Sequence, residues 1–260
     1  MRRFDGLANL SPMSLHANVV RPAGWMAARS AKLLGPLEPH RVMLEAAALA
    51  ATLPGLLTAP TAGDGHPVLV VPGVSGGAGW CAALRAYLRH LGHNVHQPAA
   101  WATKGRPRTV VHRLVDQVAE LSRVHGDDVS IIGWSVGGAL VRQAALLSPE
   151  PLRRVITLGA PVSGLWYRDV FGTGARAMPV PTSAIYSKTD PVFHWRTCAQ
   201  YRSPRCEDIV IPSSHMGMAT NVYAYHAIAD RLAQPAGSWT LYRPPRNLPV
   251  RATPARGRVR

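Results

Sequence analysis

The chain has 260 residues, 47% of them hydrophobic and only 17% charged, which excludes a globally disordered polymer. Three Cys are too few for a disulfide scaffold, and the length suits one large α/β domain with extensions or two smaller domains. Lys plus Arg number 29 against 14 Asp plus Glu, a balance of +15 that invites an anionic partner. Residues 243–260 hold six Arg and no acid, so part of that excess belongs to a tail.

Met1-Arg2-Arg3 is a basic start, but residues 4–9 open no apolar run of signal-peptide length. The expectation is a cytoplasmic protein with no transmembrane helix. The most apolar early stretch, residues 42–57, contains Glu45 and is expected to break at Pro54-Gly55. It is shorter than the roughly 20 residues of a membrane span. It reads as an Ala-rich packed helix, with a membrane-surface helix as the alternative. Residues 1–64 are expected to form a helical N-terminal extension, with the turn-rich stretch 60–67 separating it from the rest of the chain.

Beyond that point short apolar runs alternate with amphipathic stretches. Strands are expected at 68–71, 94–97, 129–132, 154–158, 182–186 and 209–211. Helices are expected around Trp80 to Leu91, Val111 to Leu121, Ser135 to Leu147 and Val222 to Leu232. Strands without internal alternation, separated by helices, predict an α/β domain over 65–236. Its mostly parallel sheet carries helices on both faces. Residues 237–260, rich in Pro and Arg and without periodicity, are expected to be a loose basic tail.

The sharpest local signal is Gly133-Trp134-Ser135-Val136-Gly137-Gly138, directly after a strand and opening a helix. In that context G-x-S-x-G is a nucleophile elbow. Small residues at 133 and 137 let strand and helix backbones approach, and the helix N-terminus favours negative charge beside Ser135. A bare Gly-rich turn is the simpler alternative. A phosphate loop fits less well, because no Lys-Ser or Lys-Thr comes after it and residues 72–79 hold no G-x-G-x-x-G.

A serine nucleophile needs a base and a group to orient it. Asp190 comes after the strand 182–186, and His215 after the strand 209–211. The order Ser135, Asp190, His215, with a strand before each, suits a sheet whose sites form at the strand C-termini. Taken singly, Asp190 before Pro191 reads as a turn residue and His215 as a cap. Glu207 and Asp208 are expected at the wrong end of the last strand. His194 lies only four residues past Asp190. The oxyanion donors are expected at Val136 and in the loop after the first strand, at Val74 with Ser75 second.

These residues, with Pro72-Gly73, Leu158-Gly159-Ala160-Pro161, Tyr186 to Asp190 and Ser214-His215-Met216-Gly217-Met218, resemble an α/β-hydrolase of the bacterial lipase and esterase type over roughly residues 65–235. The resemblance implies Ser135 as nucleophile, His215 as base and Asp190 as its orienting acid. Val74 and Val136 are the oxyanion amides. Ser75, Trp134, Trp166 and Met216 are placed near the substrate. It implies a serine carboxylic-ester hydrolase without metal or cofactor, acting on a small-molecule ester or lipid. Pro72-Gly73 stands where many lipases carry His-Gly. An acyltransferase or thioesterase on the same fold, or a non-catalytic binding protein on that scaffold, are the alternatives.

Only about twenty residues separate the strands ending near Leu158 and starting near Thr182, so a lid would be minimal. Trp166, Tyr167, Val170 and Phe171 suit either such a lid or a packed crossover helix. The helical lead-in is the other segment able to cover the site. His90, His93 and His96 are expected to diverge across a helix end and a strand start rather than form a metal site. Cys198 and Cys206 leave both a disulfide and free thiols open. The basic surface or tail suits peripheral membrane contact, and no nucleic-acid motif is present.

Overall fold

A computed structural model describes residues 33–58, 63–73, 77–99, 104–172, 176–200 and 203–255. The apolar runs become strands because both faces of the sheet are covered. β1 (Pro67–Val71), β2 (Asn94–His96), β3 (Val129–Trp134), β4 (Leu152–Leu158), β5 (Thr182–Tyr186) and β6 (Cys206–Val210) are parallel, and β7 (Arg251–Pro254) joins antiparallel. The order is β2-β1-β3-β4-β5-β6-β7. The helices are α1 (Glu38–Thr58), α2 (Gly77–Trp80), α3 (Ala82–His90), α4 (Pro107–His125), α5 (Val136–Leu147), α6 (Leu165–Phe171), α7 (Trp195–Cys198) and α8 (Val222–Ala233).

Successive residues of a strand serve opposite layers. Val68 and Val70 pack with Leu84 and Leu88 of α3 and with Ile228 and Leu232 of α8. Leu69 and Val71 pack with Leu114 and Val118 of α4 and Ala144 of α5. Each such buried side chain contributes about 1.5–3 kcal/mol. α6 is the crossover between β4 and β5, with Trp166, Tyr167 and Phe171 buried in the same core as α4 and α5.

Three expectations are corrected. First, α1 does not end at Pro54-Gly55 but runs to Thr58. Proline removes one ladder hydrogen bond. Buried Leu56 and a bond from His90 Nε2 to the Leu57 carbonyl (2.7 Å) hold the last turn. With its leading 3-10 turn the helix spans Gly35–Thr58, long and apolar enough by length and composition to cross a membrane. Nor is α1 packed along its length, since only Leu49 and Leu56 are buried. A cavity of about 620 Å³ lies between it, α3 and α8.

Second, residues 237–255 are not loose. Glu207, fully buried in β6, accepts hydrogen bonds from Ser183 Oγ (2.6 Å), Arg231 Nη1 (3.0 Å) and the Tyr242 amide (2.7 Å). Arg231 in turn stacks beneath Trp239 and Tyr242. A buried carboxylate must satisfy its lone pairs, and the segment supplies one of the donors on its way to β7.

Third, β6 begins at Cys206, so Glu207 and Asp208 lie within the strand rather than before it. Asp208 Oδ1 accepts from the Gln200 amide at 2.9 Å. Of the two alternatives open for Cys198 and Cys206, the structure has free thiols, both buried, as is Cys81. Burial pushes the thiols up, that of Cys81 to about 11.

Candidate active site

β3 ends at Trp134, and the chain turns at Ser135 into α5. Ser135 has φ 57° and is the only non-glycine residue with positive φ among the described residues. A side chain held in that region is strained and must be over-determined by its surroundings. Glycines supply the room. A Cβ at Gly133 would lie 2.7 Å from the Gly137 carbonyl oxygen, and one at Gly137 would lie 2.8 Å from that of Val71. A Cβ at Gly73 would press on Ser135 Cβ at 3.0 Å.

β5 and β6 run parallel to β3 and end at the same edge of the sheet, and the loops after them bring Asp190 and His215 to Ser135. Ser135 Oγ is 3.0 Å from His215 Nε2, and His215 Nδ1 is 2.7 Å from Asp190 Oδ2. All three side chains are buried. Asp190 Oδ1 accepts from the amides of Val192 (2.7 Å) and Phe193 (3.0 Å), which fixes the carboxylate. Burial pushes the His215 pKa down. The Asp190 carboxylate and, at longer range, Glu38 more than offset this, so the imidazole is held above its ordinary value. A hydroxyl, an imidazole and an oriented carboxylate in this order can move a proton from the hydroxyl to the ring as the oxygen attacks an electrophile.

Val136 is the first residue of α5, so its amide has no carbonyl partner within the helix. Val74 and Ser75 lie outside the described residues. Trp134 is buried, stacked 6.1 Å from Trp80, and its Nε1 donates to the His215 carbonyl at 3.3 Å. Trp80 Nε1 donates to the Met216 carbonyl at 2.6 Å. Trp166 is buried on α6 against Phe171. The rival base His194 caps α7 by accepting from the Arg196 amide (3.2 Å) and does not enter the cluster.

Glu38 and Arg41 of α1 were not singled out from the sequence, and Glu45 was noted only as a charge in an apolar stretch, yet all three bind the loops that carry Asp190 and His215. Their signal was available as charges at helical spacing in an otherwise apolar helix. Phe193, whose ring lies 5.3 Å from that of His215, was also missed.

The three histidines at 90, 93 and 96 diverge. His90 reaches the Leu57 carbonyl and His96 reaches His125, while His93 packs edge-on to His66. Spacing did not reveal the carboxylate beside His93. Donor atoms of Asp64, His66 and His93 lie within 4.8 Å of one another. Arg153 already pairs with Asp64 at 2.7 Å, and its charge and that of Arg154 oppose a cation there.

The chain matches no protein-family model. Over 136 residues it is 26% identical to "Putative carbamate hydrolase RutD" of Azorhizobium caulinodans, covering 50% of this chain and 51% of that one. The chain thus spans about half the length of that relative. Among solved structures, lipase B of Aspergillus fumigatus superposes with a TM-score of 0.51 at 15% identity, covering 68% of this chain and 55% of that one. The pyrethroid hydrolase PytH superposes with a TM-score of 0.50 at 16% identity, covering 66% and 99%. With its parallel sheet, strand order and strand-to-helix turn at Ser135, the chain has the fold of the α/β-hydrolase superfamily.

Proposed function

We propose that the protein is a serine hydrolase that cleaves carboxylic esters of small molecules or lipids through an acyl-enzyme. The observation that carries this reading is the continuous contact from Ser135 Oγ through the His215 ring to Asp190, with Ser135 on a strained turn. His215 takes the Ser135 proton as the oxygen attacks the ester carbonyl. Asp190 holds the ring and stabilises its cationic form, and His215 then protonates the leaving alcohol. The Val136 amide, with a second from the loop at Val74, receives the oxyanion. Water activated by His215 releases the acid. The fold is shared with a lipase and a pyrethroid hydrolase, in keeping with this chemistry. The match to a protein named for carbamate hydrolysis makes carbamates a second acyl class. Contact with a lipid surface belongs to the same reading. Leu37, Met43 and Leu44 of the segment leading into and along α1 are exposed by 49%, 71% and 70%.

The test is labelling of the purified protein by a fluorophosphonate, beside Ser135→Ala and His215→Ala. Labelling is expected in the wild type and lost in both variants. Persistent labelling of Ser135→Ala removes Ser135 as the nucleophile. A panel of p-nitrophenyl esters and carbamates then ranks the acyl group.

A further inference from the structure

α1 carries three charged residues, Glu38, Arg41 and Glu45, at the i, i+3, i+7 spacing that aligns them on one face. All three bind the loops that bear Asp190 and His215. Glu38 Oε1 accepts from the His215 amide (3.1 Å), and Oε2 accepts from the Met216 amide (3.2 Å). Glu45 Oε1 accepts from the Ser214 amide at 2.6 Å. Its Oε2 accepts from Ser213 Oγ at 2.6 Å and from Asn221 Nδ2 at 2.9 Å. Gly217 leaves the room for this, since a Cβ there would lie 2.7 Å from Glu45 Oε2. Arg41 joins the two loops to each other. It donates to the Thr189 carbonyl (3.0 Å) and hydroxyl (2.8 Å), one residue before Asp190. It also donates to the Ser213 carbonyl (2.6 Å), two residues before His215.

We infer that Glu38, Arg41 and Glu45 are positioning residues, a clamp from α1 that holds the base and acid loops in register with Ser135. The inference rests on the serine-hydrolase reading. Hydrogen bonds to charged groups are stronger than neutral ones. Here they replace the apolar burial that α1 largely lacks. The chemistry tolerates little displacement, because a shift of about 1 Å can cost up to about 100-fold in rate. Glu38 also acts through charge. The charged groups around His215 are Asp190 from the β5 loop and Glu38, Arg41 and Glu45 from α1. Asp190 and Glu38 favour the cationic ring.

The experiment uses the full chain. The rate of fluorophosphonate labelling is measured from pH 5 to 9 in wild type, Ser135→Ala, Glu38→Gln, Arg41→Met and Glu45→Gln. Glu120→Gln, which loses only an exposed helix pair with Arg123, is the control. The His215 pKa is read by NMR in the same proteins. Glu38→Gln is expected to move the acid limb and the NMR pKa of His215 to lower pH, because a negative charge near the ring is gone. Arg41→Met and Glu45→Gln are expected to slow labelling about tenfold, with ester KM within about twofold of wild type. Glu120→Gln is expected to match wild type. If Glu38→Gln leaves the His215 pKa unmoved, and folded Arg41→Met or Glu45→Gln label at the wild-type rate, the clamp is overturned while a dead Ser135→Ala preserves the hydrolase reading. Wild-type-like labelling of Ser135→Ala, or none in wild type, overturns both. Glu38→Gln is the variant least exposed to misfolding, since Glu38 accepts two hydrogen bonds from the loops where Glu45 accepts three and Arg41 donates three. Its NMR titration reads the clamp even if another variant fails to fold.

Discussion

α1 and the segment 237–255 both lie outside the run of alternating strands and helices, and each adds a charged anchor to the few apolar side chains it buries. In α1 the charged residues are its own, and they meet backbone groups of the loops at the C-terminal edge of the sheet. In the C-terminal segment the charge belongs to the sheet and to α8. The Glu207 and Arg231 pair is buried, and the segment brings the Tyr242 amide, the Thr240 carbonyl and two aromatic rings to it. The first arrangement holds a site, and the second seals a core and covers the open edge of β6. Disturbing α1 should therefore change rate more than stability, and disturbing the C-terminal anchor should do the reverse.

The largest expected effect is on the anchor. Glu207→Ala removes the buried carboxylate and leaves Arg231 only its half-exposed neighbour Asp230, and a loss of about 3 kcal/mol is expected in urea unfolding. A loss below about 1 kcal/mol, or a fall in labelling rate at unchanged stability, would erase the contrast with α1. Next comes the pH response. The base form of His215 must be neutral, and its pKa is held above the usual imidazole value. Activity should therefore fall as pH drops through a midpoint above about 6.5. A midpoint below that value contradicts the charge environment described for the ring. The smallest effect is expected on the outward side of α1. Met43→Glu with Leu44→Glu should change stability by no more than about 0.5 kcal/mol per site and leave labelling intact. The same change should abolish cosedimentation with anionic vesicles. Equal sedimentation of variant and wild type would separate α1 from any lipid contact.

Much of the sheet was legible because its strands are buried on both faces and so read as plain apolar runs. Val68 to Val71 and Thr182 to Tyr186 fell where the pattern placed them. β6 was misplaced because its first half carries Glu207 and Asp208, whose partners Ser183, Arg231 and Gln200 come from other elements. The elbow was legible because its glycines announce it: backbone atoms of the helix leave no space for a Cβ at 133, and those of Val71 and Pro72 leave none at 137. Phe193 and the α1 clamp were not, since neither has a local motif and each depends on which loop lies across from it.

The sequence by itself determined the order of strands and helices, the glycine-lined turn at Ser135, and the succession Ser135, Asp190, His215 along the strand ends. Those are properties of neighbouring residues and of periodicity. Only the tertiary structure decided that an apolar helix docks through its few charges, that an Arg- and Pro-rich terminus becomes an edge strand, and that Cys198 and Cys206 stay apart as thiols. The +15 balance is of this second kind. Charge acts according to what lies within a few ångströms of it, so Arg41 and Arg231 matter for the carbonyls and carboxylate they reach, and not for their share of the sum.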